Sequence, residues 1–245
     1  ERVLPNGEKR KGIKPATVAT YRSKLNAFFE WLRIRGEIKE NPFRDIPYPK
    51  VEYTDQRYLK KEEVEKIFTA MAINIDWKNN YIKKRNITMV CMLLYCGLRR
   101  GEMLGMKVRN VDLERNTVLV QKETSKSKCE RVLPLNSALR PYIMDYVEER
   151  KRLKFKSEYL FVSEEDEKLT NSVLKHLVQK IKEASGVTRF HVHRLRHTFA
   201  VGLLNNGSDT TRVQQLMGHK DPRQTTVYLI QLPTKMLRED VERLT

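Results

Sequence analysis

The stretch that constrains the fold most is residues 191–228, because helical patterns alternate there with residues that end or begin helices. Apolar residues recur at helical spacing between residues 196 and 205, and Gly207 ends that pattern. Asp209 is suited to cap a second short helix, which Gly218 ends in turn. A third short helix is expected to begin at the next Asp-Pro pair. The stretch therefore predicts three short helices joined by tight turns.

The same stretch holds four of the five histidines of the chain, together with arginine and tyrosine. His193 and Arg196 are three residues apart, so a helix presents both side chains on one face. We expect His219, on the connection after a glycine, to point outward, and Tyr228 to lie near it if the chain doubles back. Guanidinium groups bind phosphodiester oxygens, imidazoles hold or move protons, and a phenol can attack phosphorus. These residue types together predict a phosphoryl-transfer site.

Charge and cysteine content narrow the class of protein further. The 245 residues suffice for one large or two smaller domains, and the formal net charge of +17, with a pI near 9.8, indicates a nucleic-acid partner. Three cysteines without a C-x-x-C pair argue against a disulfide framework or a zinc site and favour a reducing compartment. Because the sequence has no signal-peptide pattern and no apolar run of transmembrane length, we expect a cytoplasmic protein without a membrane partner.

The N-terminal part predicts a small unit separate from the rest. Residues 1–14 are polar and basic without periodicity, which is typical of a flexible arm. An amphipathic helix follows, with Thr17 as its expected cap. Residues 47–56 combine prolines with mixed charge, as linkers do. We therefore expect domains at 1–55 and 56–245, and the plainest interpretation of the first is an ordinary helical hairpin with no DNA role.

The second domain is predicted to be mainly helical. Residues 87–96 are apolar nearly all round, which indicates a helix buried at the centre of the domain. Between residues 108 and 135 the pattern changes to that of three short strands, whose second loop, ETSKSKC, is rich in lysine. Asn136 is suited to cap a long helix that begins at residue 137. The predicted fold class is therefore α+β, mainly α with a small three-stranded antiparallel β-sheet.

Three motifs occur in order along this domain: CGLRRGE, then HVHRLRHTFA, then LMGHKDPRQTTVY. They resemble the G-L-R-x-x-E, H-x-x-R and L-G-H boxes of the tyrosine recombinases, the family of phage-type integrases and Xer-like recombinases. In that family the nucleophilic tyrosine follows the last box by nine residues. The segment TVATYRSKLNAFFEWL, followed by NPF, resembles the second half of the family's core-binding domain. The resemblance implies a catalytic domain with a C-terminal helix, preceded by part of a helical DNA-binding domain.

The resemblance also implies a role for particular residues. It assigns catalysis to Arg99, Lys126, His193, Arg196, His219 and Tyr228. The family's lysine stands in a K-G-x-K-x-R turn, and counting back from VLPL places it at Lys126, with Lys122 and Lys128 as the other candidates. Glu102 is expected to orient the basic side chains, and His197 to pack beside them. DNA phosphate contacts are expected from Arg100, Lys122, Lys128, Arg22 and Lys24.

Plainer interpretations exist for two of these features. An arginine beside Glu102 could form a structural ion pair and nothing more. A lysine-rich hairpin loop is most often a solvated tip. Neither interpretation accounts for the motifs occurring together and in order.

The implied activity is cleavage and rejoining of DNA strands through a 3′-phosphotyrosyl intermediate, by an integrase, excisionase or Xer-like recombinase at the nucleoid. This chemistry requires no metal, nucleotide or other cofactor. The expected partner is double-stranded DNA with paired recombination sites, on which a tetramer assembles by exchanging the helix predicted within residues 234–245. That helix could instead fold back on its own domain. Two other functions stay open: a type IB topoisomerase that relaxes supercoils, and a non-enzymatic helix-turn-helix regulator.

Overall fold

The computed structural model describes residues 2–3, 9–10, 12–50, 57–124 and 130–229. The chain divides into two compact units, residues 1–55 and residues 56–245. Within the described ranges, no helix is both long enough and apolar enough to cross a membrane. The C-terminal helix predicted within residues 234–245 lies outside the described residues.

One long helix forms most of the first unit. Two short strands, β1 (Arg2–Val3) and β2 (Lys9–Arg10), pair antiparallel, and helix α1 spans Pro15–Ile34. Proline suits the first helical position because its ring fixes a helical φ and its missing N–H needs no partner there. Helix α1 therefore begins at Pro15 with Lys14 as its cap residue. The expectation that Thr17 caps this helix is wrong, since Thr17 lies inside its first turn.

The segment after α1 folds back against one side of that helix. Asn41 is buried, and its amide donates to Asn26 Oδ1 (3.1 Å) and Glu30 Oε2 (3.2 Å) on α1. Phe43 stacks on Phe29 with 5.5 Å between the ring centroids. The amide and the ring together fix this segment on the helix.

The second unit contains eight helices longer than one turn and a small sheet in its described part. Helix α2 spans Lys61–Thr69 and continues into a π-helical turn, Ala70–Asn74. The other helices are α3 (Asn80–Tyr95), α4 (Arg100–Leu104), α5 (Arg140–Arg152), α6 (Asn171–Ser185), α7 (Val192–Asn205), α8 (Thr210–Met217) and α9 (Arg223–Leu229). A 3-10 turn at Val108–Asn110 precedes the strands β3 (Val111–Asp112), β4 (Thr117–Val120) and β5 (Arg131–Pro134). The predicted fold class is confirmed.

Helix α3 lies at the centre of the second unit, packed against α5 and α7. The Asn79 side chain accepts a hydrogen bond from the Ile82 N–H (2.9 Å) and so begins the helix. Every residue from Met89 to Leu94 is buried. Burial of one large aliphatic side chain stabilises a fold by about 1.5–3 kcal/mol. The buried helix predicted for residues 87–96 is confirmed, although it begins earlier, at Asn80.

The strands form one antiparallel sheet in the order β3-β4-β5. Val118 pairs with Leu133, and both side chains are buried, whereas the neighbouring Val132 is 59% exposed. This alternation is the period-two pattern of a sheet with one buried face. Arg131 stands at the start of β5 on the same buried face as Leu133. A charged side chain therefore points into the unit at this position.

Helix α5 begins later than the sequence indicates. The Asn136 side chain accepts a hydrogen bond from the Ala138 N–H (2.8 Å), which closes a turn rather than starting the long helix. The helix itself begins at Arg140, next to Pro141. The expectation that Asn136 caps a helix starting at residue 137 is wrong for this reason.

The three short helices predicted near the C-terminal end are confirmed as α7, α8 and α9. The Asp209 side chain caps α8 by accepting from the Arg212 N–H (2.8 Å). Gly218 ends α8 with a φ of +61°, a left-handed conformation that favours glycine. The three helices share a small apolar cluster, formed by Ala200, Val201, Leu204, Val213, Met217 and Tyr228. Tyr228 is therefore part of the packing that holds α9 in place.

Candidate active site

Arg99 is held at the beginning of α4, directly after the central helix α3. Its backbone N–H donates to Glu102 Oε2 (2.8 Å), and its guanidinium Nη1 donates to Glu102 Oε1 (3.0 Å). The other terminal nitrogen, Nη2, donates to the Gly218 carbonyl (3.2 Å) at the end of α8. Arg99 thus connects the end of the buried helix to the turn that precedes His219.

Glu102 is the buried anion of the site, with 1% of its surface exposed. Burial alone would raise the pKa of this carboxyl. The pKa is nevertheless lowered to about 2. Arg131 contributes through its hydrogen bonds and its charge, Arg99 through its backbone N–H and Arg196 through its charge, and together they outweigh burial. Glu102 is therefore ionised at neutral pH and offsets part of the positive charge around it.

Arg131 is a member of this cluster that the sequence analysis did not identify. Its guanidinium forms a bidentate pair with Glu102, through Nη1 to Oε1 (3.1 Å) and Nη2 to Oε2 (2.8 Å). Its Nε donates to the Leu216 carbonyl (2.8 Å). A signal was present in the sequence, because strand alternation places Arg131 on the same face as the apolar Leu133.

Arg196 is the most enclosed of the predicted catalytic arginines, with 4% of its surface exposed. It donates through Nη1 to the Gly97 carbonyl and through Nη2 to the Met217 carbonyl. Its Nη2 also lies 3.0 Å from His219 Nε2. Burial first, and then the charge of Arg99, lower the pKa of Arg196 to about 10, so the guanidinium remains charged at neutral pH.

His219 is bonded on both sides of its ring. Arginine can only donate, so His219 Nε2 accepts from Arg196 and Nδ1 carries the proton, which it donates to Thr225 Oγ1 (2.9 Å). Burial and the charges of Arg196 and Arg99 lower the pKa of His219 to about 4, and the ring is neutral. The expectation that this imidazole points outward is wrong, since Arg196 and Thr225 hold it inside the site. Thr225, which is buried, was not predicted.

Tyr228 lies against two histidines. Its ring is stacked on His219, with 6.2 Å between centroids and 15° between planes, and meets His197 edge to face at 5.3 Å. Only 4% of the tyrosine is exposed. Burial raises the pKa of the phenol, and the positive charges of Arg196 and Arg99 oppose that rise. The tyrosine and both predicted catalytic arginines therefore belong to one electrostatic cluster.

The two histidines of α7 differ in exposure. The residue His193 is exposed as a whole. Burial of part of its ring lowers its pKa first, followed by the charges of Arg196, Arg100 and Arg99, so His193 lies near these arginines. His197 is half-buried, and its Nδ1 has no hydrogen-bond partner. Burial lowers the pKa of His197 to about 4, so its ring packs against Tyr228 uncharged.

The remaining predicted residues differ in exposure, and two of them lie outside the described residues. Arg100 is exposed at the first position of α4, and Lys122 is exposed in the turn after β4. Lys126 and Lys128 lie outside the described residues. In the first unit, Lys24 is exposed on α1. Arg22 donates through Nε to the Ile46 carbonyl (3.0 Å) and lies 4.9 Å from the centre of the Tyr48 ring.

Comparison with known proteins assigns the chain to a family. Residues 57–234 match the phage integrase family. The chain belongs to this family. Tyrosine recombinase XerC of Bacillus pumilus is 32% identical over 225 residues, which cover 89% of this chain and 71% of the relative. Tyrosine recombinase XerC of Bacillus subtilis is 30% identical, with 89% and 71% covered.

Solved structures of this integrase family have the same fold. XerH recombinase, in a post-cleavage complex with palindromic difH substrate, superposes with a TM-score of 0.72 at 23% identity, covering 94% of this chain and 67% of its own. The Tn1549 transposon integrase, in complex with transposon right-end DNA, gives a TM-score of 0.72 at 22% identity, covering 95% and 80%.

The predicted family and enzyme class are thereby confirmed: the chain is a tyrosine site-specific recombinase. Neither the topoisomerase nor the helix-turn-helix regulator is favoured by these matches, which are to recombinases and integrases. In this recombinase, four side chains from different elements come together. They are Arg99 at the start of α4, Arg196 on α7, the neutral His219 after α8 and the buried Tyr228 on α9. Such a set can bind a phosphodiester and present a phenol to its phosphorus.

Proposed function

We propose that the enzyme cleaves one DNA strand by attack of Tyr228 Oη on the scissile phosphate. The new bond joins the phenolic oxygen to phosphorus, and the bond from phosphorus to the 5′ oxygen breaks, which leaves a 3′-phosphotyrosyl linkage and a 5′-hydroxyl. The phenolic proton passes to a base, and the departing 5′ oxygen takes up a proton. The observation that carries this proposal is the stacking of Tyr228 on His219, whose ring is bonded to Arg196.

Arg99 and Arg196 are proposed to bind the non-bridging phosphate oxygens and to stabilise the charge of the transition state. Three buried or half-buried arginines, including Arg131, face one carboxylate, Glu102, so the cluster keeps a surplus of positive charge. Fixed donors aimed at developing charge are usually the largest single catalytic contribution. That surplus supports an anionic ligand at this site.

Histidine and lysine are proposed to handle the protons. We assign the proton from Tyr228 to His193, and the protonation of the departing 5′ oxygen to Lys126. His219 is proposed to donate a hydrogen bond to the phosphate. Donation through Nε2 requires a change of tautomer, in which Nε2 gains the proton and no longer accepts from Arg196, while the Thr225 hydroxyl donates to Nδ1.

Strand exchange follows from the same chemistry. The phosphotyrosyl bond retains the energy of the phosphodiester, so a 5′-hydroxyl from another strand can attack it and rejoin DNA without ATP. We propose double-stranded DNA with paired sites as the substrate and a tetramer as the active assembly, formed by exchange of the C-terminal helix. The solved complexes of XerH and the Tn1549 integrase contain DNA, which supports DNA as the substrate. Residues 1–55 are proposed to supply part of a DNA-binding domain, with phosphate contacts from Lys24 and Arg22, at the nucleoid.

Replacement of the nucleophile tests the proposal. The protein is incubated with a nicked duplex that traps the intermediate, and covalent adducts are separated on a denaturing gel. Tyr228→Phe should abolish the adduct while DNA binding is retained, because only the hydroxyl is removed. Tyr142→Phe, at an exposed tyrosine of α5, is the matched control and should leave the adduct unchanged. An adduct of normal yield from Tyr228→Phe would refute the assignment.

A further inference from the structure

Arg131 uses every nitrogen of its guanidinium inside the protein. Two nitrogens bind the Glu102 carboxylate, and the third binds the Leu216 carbonyl. The side chain is 7% exposed, so it offers little surface to a ligand. Arg131 lies on strand β5 and bonds to Glu102 on α4 and to Leu216 on α8. This position distinguishes it from Arg99 and Arg196.

The turn before His219 is fixed from two sides. On one side, a Cβ atom built on Gly218 would lie 2.9 Å from Arg131 Nη1 and 3.3 Å from its Cδ, so the guanidinium packs directly on the glycine backbone. On the other side, Arg99 Nη2 donates to the Gly218 carbonyl. The left-handed φ and the close approach both require glycine here. His219 follows immediately in the chain, so its position depends on this contact.

The carboxylate of Glu102 is shared unequally between two arginines. Arg131 occupies both oxygens with a bidentate pair, whereas the Arg99 side chain reaches only Oε1. Bidentate pairs between guanidinium and carboxylate are the preferred geometry. Without Arg131, the carboxylate could take Arg99 into such a pair and turn its guanidinium away from a bound phosphate.

We propose that Arg131 is a positioning residue for strand cleavage: it holds Glu102 and the turn at Leu216–Gly218, and through them it sets the places of Arg99 and His219. This inference rests on the proposed function of the site. It predicts that loss of Arg131 slows the chemical step while DNA binding, which uses other groups, changes little.

The test separates binding from chemistry. For Arg131→Met and Arg131→Lys, we would measure the single-turnover rate of adduct formation at saturating protein, and the Kd for an intact duplex. Arg131→Met should slow adduct formation roughly 10²-fold, the effect of a small misplacement of reacting groups, with little change in Kd. Arg131→Lys keeps the charge but loses the bidentate geometry, so its rate should lie between those of wild type and Arg131→Met.

A matched control removes a buried arginine elsewhere. Arg150 on α5 is buried and donates to the carbonyls of Leu160 and Ser157, away from the site. Arg150→Met should leave the rate of the folded protein unchanged, with folding checked by circular dichroism. Equal loss of rate in Arg150→Met and Arg131→Met would overturn the inference, because general destabilisation would then explain both.

A double-mutant cycle with Glu102→Gln identifies the route of the effect. If Arg131 acts through Glu102, Arg131→Met should cost much less in the Glu102→Gln background than in wild type. Fully multiplicative effects would overturn the inference, as would an unchanged rate in Arg131→Met or, if that variant does not fold, in Arg131→Lys. Absence of an adduct in the wild type would instead refute the proposed function itself, so the two failures are distinguishable.

Discussion

Replacing Glu102 with glutamine removes the negative charge that three arginines share and conserves the size of the side chain. The folded protein lowers the pKa of this carboxyl from 4.5 to about 2. At about 1.4 kcal/mol per pKa unit, the ionised form contributes on the order of 3 kcal/mol to the free energy of unfolding. Removing one partner of a buried ion pair costs about 3–5 kcal/mol, which agrees in size. We therefore expect the Glu102→Gln substitution to lower the free energy of unfolding by about 3 kcal/mol at pH 7.

The pH dependence has a defined sign. Because the pKa of Glu102 is lower in the folded protein than in the unfolded chain, its contribution is present above pH 4.5 and is lost as pH falls towards 2. Glutamine does not titrate, and all other carboxyl groups are common to both proteins. The difference in stability between wild type and Glu102→Gln should therefore shrink as pH falls below 4.5.

Urea unfolding at pH 7, 4 and 3 measures this difference. In a Trp31→Phe background, fluorescence reports only Trp77, whose indole N–H donates to the Met71 carbonyl (2.8 Å) within the second unit. Glu164→Gln is the control, since Glu164 pairs with the exposed Lys78 and should change stability little. A loss below about 1 kcal/mol at pH 7, or a difference that does not depend on pH, would refute the reasoning.

Two further predictions concern the phosphate site and the assembly. Arg99→Ala and Arg196→Ala should each lower adduct formation by about 10² or more on the denaturing gel, with a smaller loss of DNA binding. Normal cleavage by either variant would remove that arginine from the proposed phosphate site. Deletion of residues 234–245 should leave binding to a single site nearly intact and remove higher-order complexes on a native gel. Retention of those complexes at wild-type concentration would place the subunit contact elsewhere.

Local signals in the sequence were enough to predict helices α7, α8 and α9. Asp209 caps α8 and Gly218 ends it because a carboxylate satisfies free N–H groups and glycine accepts a positive φ. Continuous apolar character predicted the burial of α3 for an equally direct reason. These interactions involve neighbours in the chain, so the sequence displays both partners together.

Contacts between distant segments were harder to predict. Arg131 and Glu102 are 29 residues apart in the chain, and nothing in the local pattern around either residue identifies the other. The inward orientation of His219 likewise depends on Arg196, which belongs to a different helix. Helix starts were missed where two local signals compete, as at Asn136, whose side chain closes a turn instead of capping α5.

The burial of Tyr228 limits which substitutions can test its proposed role as the nucleophile. Helix α9 is only seven residues long, and Tyr228 is its contribution to the cluster that includes Val213 and Met217. Packing, not helix propensity, therefore holds α9, because an isolated helix of this length is unstable in water. Truncation of a buried aromatic ring to alanine costs about 3–5 kcal/mol, so Tyr228→Ala would remove the proposed nucleophile and loosen the helix together. Tyr228→Phe keeps the ring, so the loss of adduct in that variant measures the chemistry of the hydroxyl alone.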